Sequence, residues 1–207
     1  MNGSFITDTI KVLGAREKYA RAELRDDQPL LVLPLKYSVI LASLTDLGVL
    51  QRFIILVNHP CSLVVLGGRG NRSDLALMQD ELREQIAHFT KAVSEQDVSG
   101  KLVADTISEI LREHFLEKSK PLAVQLAVVD YNNAQRPVSV FSFNGEVNAG
   151  NGFILNGADI SRLKKTFASS EEAKEYAQKI LGRKKGFRRQ TMEVGITPKD
   201  KILFLKF

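Results

Sequence analysis

One cysteine, Cys61, is all that 207 residues contain. No internal disulfide can form, and the expected setting is a reducing compartment, most simply the cytosol. Cys61 begins an apolar run with only His59 as a nearby cationic group, so it reads as a buried structural thiol rather than a nucleophile. The histidines are few as well. His59, His88 and His114 share no metal-ligand spacing, and the latter two, on helical patterns, are expected at the surface or its boundary. No apolar run reaches the roughly 18 residues that would suggest a membrane span. The residues from Met1 to Asp8 hold no basic segment followed by an apolar core, so a secretory leader is not expected. Gly67, Gly68 and Gly70 stand together, but no Gly-Lys-Ser/Thr follows, which argues against a phosphate loop. Neither a metal nor a cofactor is expected.

What is present is the balance of an ordinary globular domain: 44% hydrophobic and 26% charged residues in a chain long enough for one sizeable core. The net charge of +5 is modest. Its densest part is Arg183-Lys184-Lys185-Gly186-Phe187-Arg188-Arg189, read as a solvated turn after a helix. The competing reading is a patch for nucleic acid or an acidic partner, and no nucleic-acid-binding motif accompanies it.

Region 1–28 is ambiguous. Asp8 to Asp26 is rich in helix formers, whereas Phe5 to Val12 alternates as a strand does. Asp26-Asp27-Gln28-Pro29 reads as a break. Strands are expected at Leu30–Leu35, Val39–Leu44, Phe53–Val57 and Ser62–Leu66. Several are apolar on both faces, so both sides of their sheet should be covered. A helix with Ser73 as N-cap and Asp74 in its first turn buries Leu75, Met78, Leu82, Ile86, Phe89 and Val93. A second opens near Ser99 and buries Val103, Ile107, Ile110, Leu111 and Phe115. Strands follow at Leu122–Val129 and Val138–Phe143, then a turn at Asn144-Gly145. Ile160, Leu163 and Phe167 suggest a short third helix. A fourth opens on the capping box Ser169-Ser170-Glu171-Glu172, buries Ala173, Tyr176, Ala177 and Ile180, and stops at Gly182. Met192–Ile196 and Ile202–Phe207 close the chain as a hairpin.

Strands and helices are therefore segregated, which predicts an α+β fold: a four-layer αββα sandwich, two antiparallel sheets face to face between two helix pairs. The order from Pro29 to Phe207 resembles the proteasome subunit family, with its N-terminal-nucleophile hydrolase fold. The resemblance is carried by Leu35–Ser43 as first hairpin and second strand, and by the basic-then-apolar Leu50–His59 as third strand. Gly70-Asn71-Arg72-Ser73-Asp74 is similar to the Gly-x-x-x-Asp entry to the first helix. Lys120–Asp130, Phe141–Glu146, Gly152–Ala158 and Met192–Ile196 resemble later strands and turns. The division implied is an extension, 1–28, and a proteasome-like domain, 29–207.

The resemblance implies a site built on Thr, Ser or Cys as first residue of the mature chain, whose free α-amine serves as its base. A lysine and a carboxylate support that nucleophile. Aligned on the Lys36-Tyr37-Ser38 hairpin, the nucleophile position falls near Gln28, the lysine at about Arg52 and the carboxylate at about Leu44. None is the residue required, and Arg52 keeps a charge but does not readily deliver a proton. In a second register, cleavage after Gly3 would free Ser4 as the nucleophile, with Phe5–Val12 as first strand. That leaves roughly 35 residues before the second strand, far beyond an ordinary hairpin loop. The expectation is a non-catalytic, proteasome-like subunit working in a homo- or hetero-oligomer. In outer-ring subunits of that family a helix precedes the first strand, and Asp8–Leu24, with Ile10, Leu13, Tyr19 and Leu24 on one side, is its counterpart here. No acidic C-terminal helix is expected, since Phe207 ends a strand pattern.

Overall fold

The computed structural model describes residues 2–46, 52–59, 62–92, 98–130, 136–184, 186–195 and 203–206. In chain order the elements are α1 (Asn2–Arg25), β1 (Leu30–Pro34), β2 (Ser38–Asp46), β3 (Phe53–His59), β4 (Ser62–Gly70), α2 (Arg72–Ala92), α3 (Gly100–Leu116) and β5 (Val124–Asp130). They continue as β6 (Val138–Phe141), β7 (Val147–Gly150), β8 (Phe153–Asn156), β9 (Asp159–Arg162), α4 (Ser170–Leu181), β10 (Phe187–Gly195) and β11 (Leu203–Lys206). One sheet runs β11-β10-β2-β1-β8-β9 and the other β3-β4-β5-β6-β7, with antiparallel pairing throughout.

Alternation along the strands sorts the apolar residues into three cores. Leu30 and Val32 of β1, Leu63 and Val65 of β4 and Ala127 and Val129 of β5 meet between the sheets. The intervening Leu31, Leu33, Ile40 and Ala42 pack beneath α4 with Phe167, Ala173 and Ala177. On the other sheet, Val64, Leu66, Leu126 and Val128 pack against Leu75, Met78, Leu82, Val103, Ile107 and Leu111 of α2 and α3. Three cores require four layers, helix–sheet–sheet–helix, so the α+β sandwich read from the sequence is the one observed.

The caps follow local chemistry. Ser99 accepts from Leu102 N at 3.2 Å, and Ser169 from Glu172 N at 3.2 Å. Glu172 returns the bond to the amide of Ala168 at 2.9 Å, one residue before the cap. α2 is capped by Asn71 rather than Ser73: the Asn71 Oδ1 accepts from Ser73 N at 3.1 Å and from Ser73 Oγ at 2.7 Å. Asp74 turns inward, accepting from Ala123 N at 3.0 Å and Lys120 Nζ at 3.3 Å, which ties α2 to the start of β5.

Four expectations are corrected. Ile160 lies in strand β9, not a helix, and Leu163 and Phe167 lie in no helix; Gly157 takes φ +58 and folds β9 back onto β8, which itself pairs with β1. Phe167 is buried because its amide reaches Pro34 O at 3.0 Å. The outer layer over this sheet thus holds one helix in place of a pair. The strand expected to end at Leu66 runs on through Gly67–Gly70 as the end of β4, where space permits little else: a Cβ on Gly68 would lie 2.5 Å from Leu75 Cδ1. Residues 187–189 of the basic tract belong to β10, opposite Asp46, Thr45 and Leu44. Within α4, Leu181 is buried while Ile180 faces solvent.

Within region 1–28, Asn2–Arg25 is a helix. Its C-terminal part is seated: Ala20 and Leu24 are buried with Ala123 and Phe143, and Arg16 donates to Phe115 O at 2.9 Å. Ile10, 65% exposed, and its neighbours from Asp8 to Val12 touch no core. Cys61, Val93, Lys185 and Ile202 lie outside the described residues.

Two glycines make opposite predictions. Gly70 has φ +122, and a Cβ there would collide with the Ala123 carbonyl oxygen. Gly70→Ala should cost at least about 2 kcal/mol. Gly14, in exposed α1 with nothing within 4 Å, should gain up to about 1 kcal/mol as Ala. Thermal melts followed by circular dichroism separate the two.

Candidate functional site

The strongest polar feature lies between the sheets, at the end where β1 begins. Leu63, Val65 and Gly67 of β4 point into the inter-sheet core, so alternation sends Arg69 there as well. Its residue is 0% exposed. A guanidinium has five N–H donors, and all five are used. Nε donates to Gln28 O at 3.0 Å. Nη1 donates to Gln125 Oε1 at 2.7 Å and to Gly157 O. Nη2 donates to Leu24 O at 2.8 Å and Asp27 O at 3.1 Å. Gln125 sits directly opposite Arg69 in the β4–β5 register. Leu24 O is one of the carbonyls left without an intrahelical partner at the end of α1, where a cation is favoured.

Asp27 joins this centre to Arg52. Arg52 grips its carboxylate with both terminal nitrogens, at 2.8 and 2.7 Å. Gly70 N donates to the same group at 2.6 Å, and Arg69 Nε lies 3.8 Å away. Burial pushes the Asp27 carboxyl up, but the Arg52 guanidinium and the amides of Gly70 and Gln28 outweigh it and hold the group below its ordinary range. Burial draws Arg69 down to about 10 against the pull of Asp27, so it remains a cation at neutral pH. The pairing Arg52–Asp27–Arg69 is partly to fully desolvated, with side-chain exposures of 11%, 15% and 0%.

The residues singled out from the sequence fall as follows. Gln28 and Arg52 are brought together here through Asp27 and Arg69. Leu44 is not: it is buried on the opposite face of β2, under α4 and beside Arg189. The residue of β2 that faces the inter-sheet space is Ser43, whose Oγ donates to Pro29 O at 2.8 Å. Ser4 lies within α1, not on a strand. At 1.5 Å per residue it is about 30 Å along the helix from Leu24. His114 is buried rather than superficial, with Nε2 3.0 Å from both oxygens of Glu81, and so links α3 to α2. His88 is exposed. Among the described residues, no group of three or more His, Cys, Asp or Glu is placed to hold a metal.

Arg69 and Asp27 escaped the sequence reading. Arg69 fell beyond the strand expected to end at Leu66, and Asp27 read as part of a break. The available signal was the spacing Leu63-Val65-Gly67-Arg69, which places a cation on a buried face once β4 extends to Gly70.

Chemically, every donor of Arg69 is used, while the Nε2 of its partner Gln125 is buried without a partner among the described residues. The Asp27 carboxylate accepts from Arg52 twice and from Gly70, which leaves it unsuited to take a proton near neutrality. Gln28 has no nucleophilic atom, and its own amide nitrogen is joined to Asp27 as α1 runs into β1. No protein-family model and no curated protein matches this chain.

Removing the guanidinium should be costly. Arg69→Met leaves at least four carbonyl and amide oxygens without their donor and should lose about 3–5 kcal/mol. Arg69→Lys, with three donors, should recover only part. Denaturant titration tests both, and a fully stable Met variant would show the centre to be dispensable. Asp27 adds a pH component. Its folded pKa is depressed, so its contribution is complete above the unfolded value of about 3.9 and is lost as pH falls through the folded value. Stability of the wild type should therefore fall more steeply than that of Asp27→Asn below about pH 4.

Proposed function

We propose that this chain is a non-catalytic, proteasome-like subunit that acts by assembling with copies of itself or with similar subunits. The observation that carries the reading is the state of the place where the resemblance puts the nucleophile. It is filled by the Arg69 guanidinium and by the peptide joining Asp27 to Gln28. An N-terminal-nucleophile hydrolase needs an open amine and a hydroxyl or thiol at that point. Here the nearest hydroxyl on the inter-sheet face of β2, Ser43, is bonded to a backbone carbonyl.

Two further features support it. The four-layer order is the one that the resemblance implies. The α1 helix precedes β1 with its residues Asp8 to Val12 exposed, as a helix held partly by neighbours would be. The Ser4 alternative gains no support from the fold, because that residue sits far out on α1 and not at a strand end.

The test is the state of association of the full chain. Native mass spectrometry at micromolar concentration should give multiples of 23.0 kDa; a strict monomer would falsify the assembly reading. Peptide-amide hydrolysis should stay at background in the wild type and in Ser4→Ala. Activity that vanishes on that substitution would make Ser4 the nucleophile.

A further inference from the structure

The net charge of +5 is unevenly placed. Residues 159–193 hold ten basic and five acidic side chains, an excess equal to that of the whole chain. They span β9, α4 and most of β10, and α4 covers one outer side of the sandwich. Arg183 and Lys184, just after α4, are exposed, and no described carboxylate lies within ion-pair distance of them. Ile180, 44% exposed, stands beside them.

The opposite outer side is complementary. Asp105, Glu109, Glu113 and Glu117 recur every fourth residue on α3, which places them in one row. With Arg112 and Leu116 they line an open groove of about 500 Å³. Lys118 pairs with Glu113 at 2.7 Å, but Asp105, Glu109 and Glu117 have no described cation within that reach. Leu116, 49% exposed, lies in the same groove. Each side therefore presents an apolar residue ringed by charge, of opposite sign.

We propose that a second copy of this chain docks the corner between its α4 and β10 into the α3 groove of the first. Ile180 meets Leu116, while Arg183 and Lys184 face Asp105, Glu109 and Glu117. The inference rests on the assembly reading and assigns its surfaces. Since the two surfaces lie on opposite layers, the contact is head-to-tail: it closes into a ring only if each step adds a suitable rotation, and otherwise extends. A nucleic acid is the weaker occupant. The aromatic residue of the basic corner, Phe187, is half-buried against the core beneath α4, and Lys184 Nζ lies 4.6 Å from its ring centroid, where a base would have to stack.

Charge exchange between copies tests this. One variant carries Glu109→Lys and Glu117→Lys; the other carries Arg183→Glu and Lys184→Glu. All four side chains are exposed, and circular dichroism checks folding. In sedimentation velocity the wild type should associate, and about tenfold less tightly when salt rises from about 0.1 to 1 M. Each variant alone should be monomeric, and an equimolar mixture should associate again, because every junction then pairs unlike charges. A wild-type oligomer that both variants preserve overturns these surfaces and leaves assembly standing. A monomeric wild type overturns both. Binding of a labelled single-stranded oligonucleotide, lost in the Arg183→Glu, Lys184→Glu variant and without self-association, overturns the second copy as occupant.

Discussion

The structure depends on one buried cation. A guanidinium enclosed between two apolar sheets is tolerable only if its donors are met and a counter-charge stands near. Arg69 meets that demand by drawing on the end of α1 and the entry to β1, on Gln125 near the start of β5, and on the β8–β9 turn. Those three regions are far apart in sequence. None can be displaced without stranding a donor, so the sandwich closes at this end as a unit. Gly70 completes the constraint, since its amide holds the carboxylate that faces the cation.

α1 gains a different meaning from this. A helix with Asp8 to Val12 in solvent would be an appendage if its C-terminal part only rested on Phe143 and Ala123. The carbonyls of Leu24 and Asp27 make it part of the core's polar balance. The contrast between the seated C-terminal part and the exposed residues before it supports the proposal of a subunit completed by neighbours. The charge division between the α4 side and the α3 groove supports the same proposal.

Much of the fold was legible because it rests on local periodicity. The stripes Leu75-Met78-Leu82 and Val103-Ile107-Leu111, the Ser99 cap and the Ser169–Glu172 box are set by 3.6-residue spacing and by short hydrogen bonds. Three places were misread for a common reason. Ile160, Leu163 and Phe167 satisfy a helical spacing, but pairing of β8 with β1 recruits the segment into a sheet. Gly67–Gly70 has loop composition, yet the sheet needs residues without side chains where Leu75 and Ala123 press in. Ile180 fits a helical spacing, but the face of α4 that meets the sheet is the row Ala173-Ala177-Leu181, which leaves Ile180 exposed beside it.

The candidate site divides in the same way. The absence of a usable residue at Gln28, Leu44 and Arg52 could be read directly, since chemistry depends first on residue type. What occupies that place could not. Arg69 and Asp27 are 42 residues apart, and their meeting depends on which strands pair and which faces they turn. By itself the sequence determined α2, α3 and α4, most strands, the α+β class and, with one cysteine, the lack of an internal disulfide. Only the tertiary structure decided that a single arginine, enclosed by distant carbonyls, binds the N-terminal helix to the core. The reason is physical: periodicity is a property of neighbours along the chain, whereas satisfying a buried charge is a property of everything packed around it.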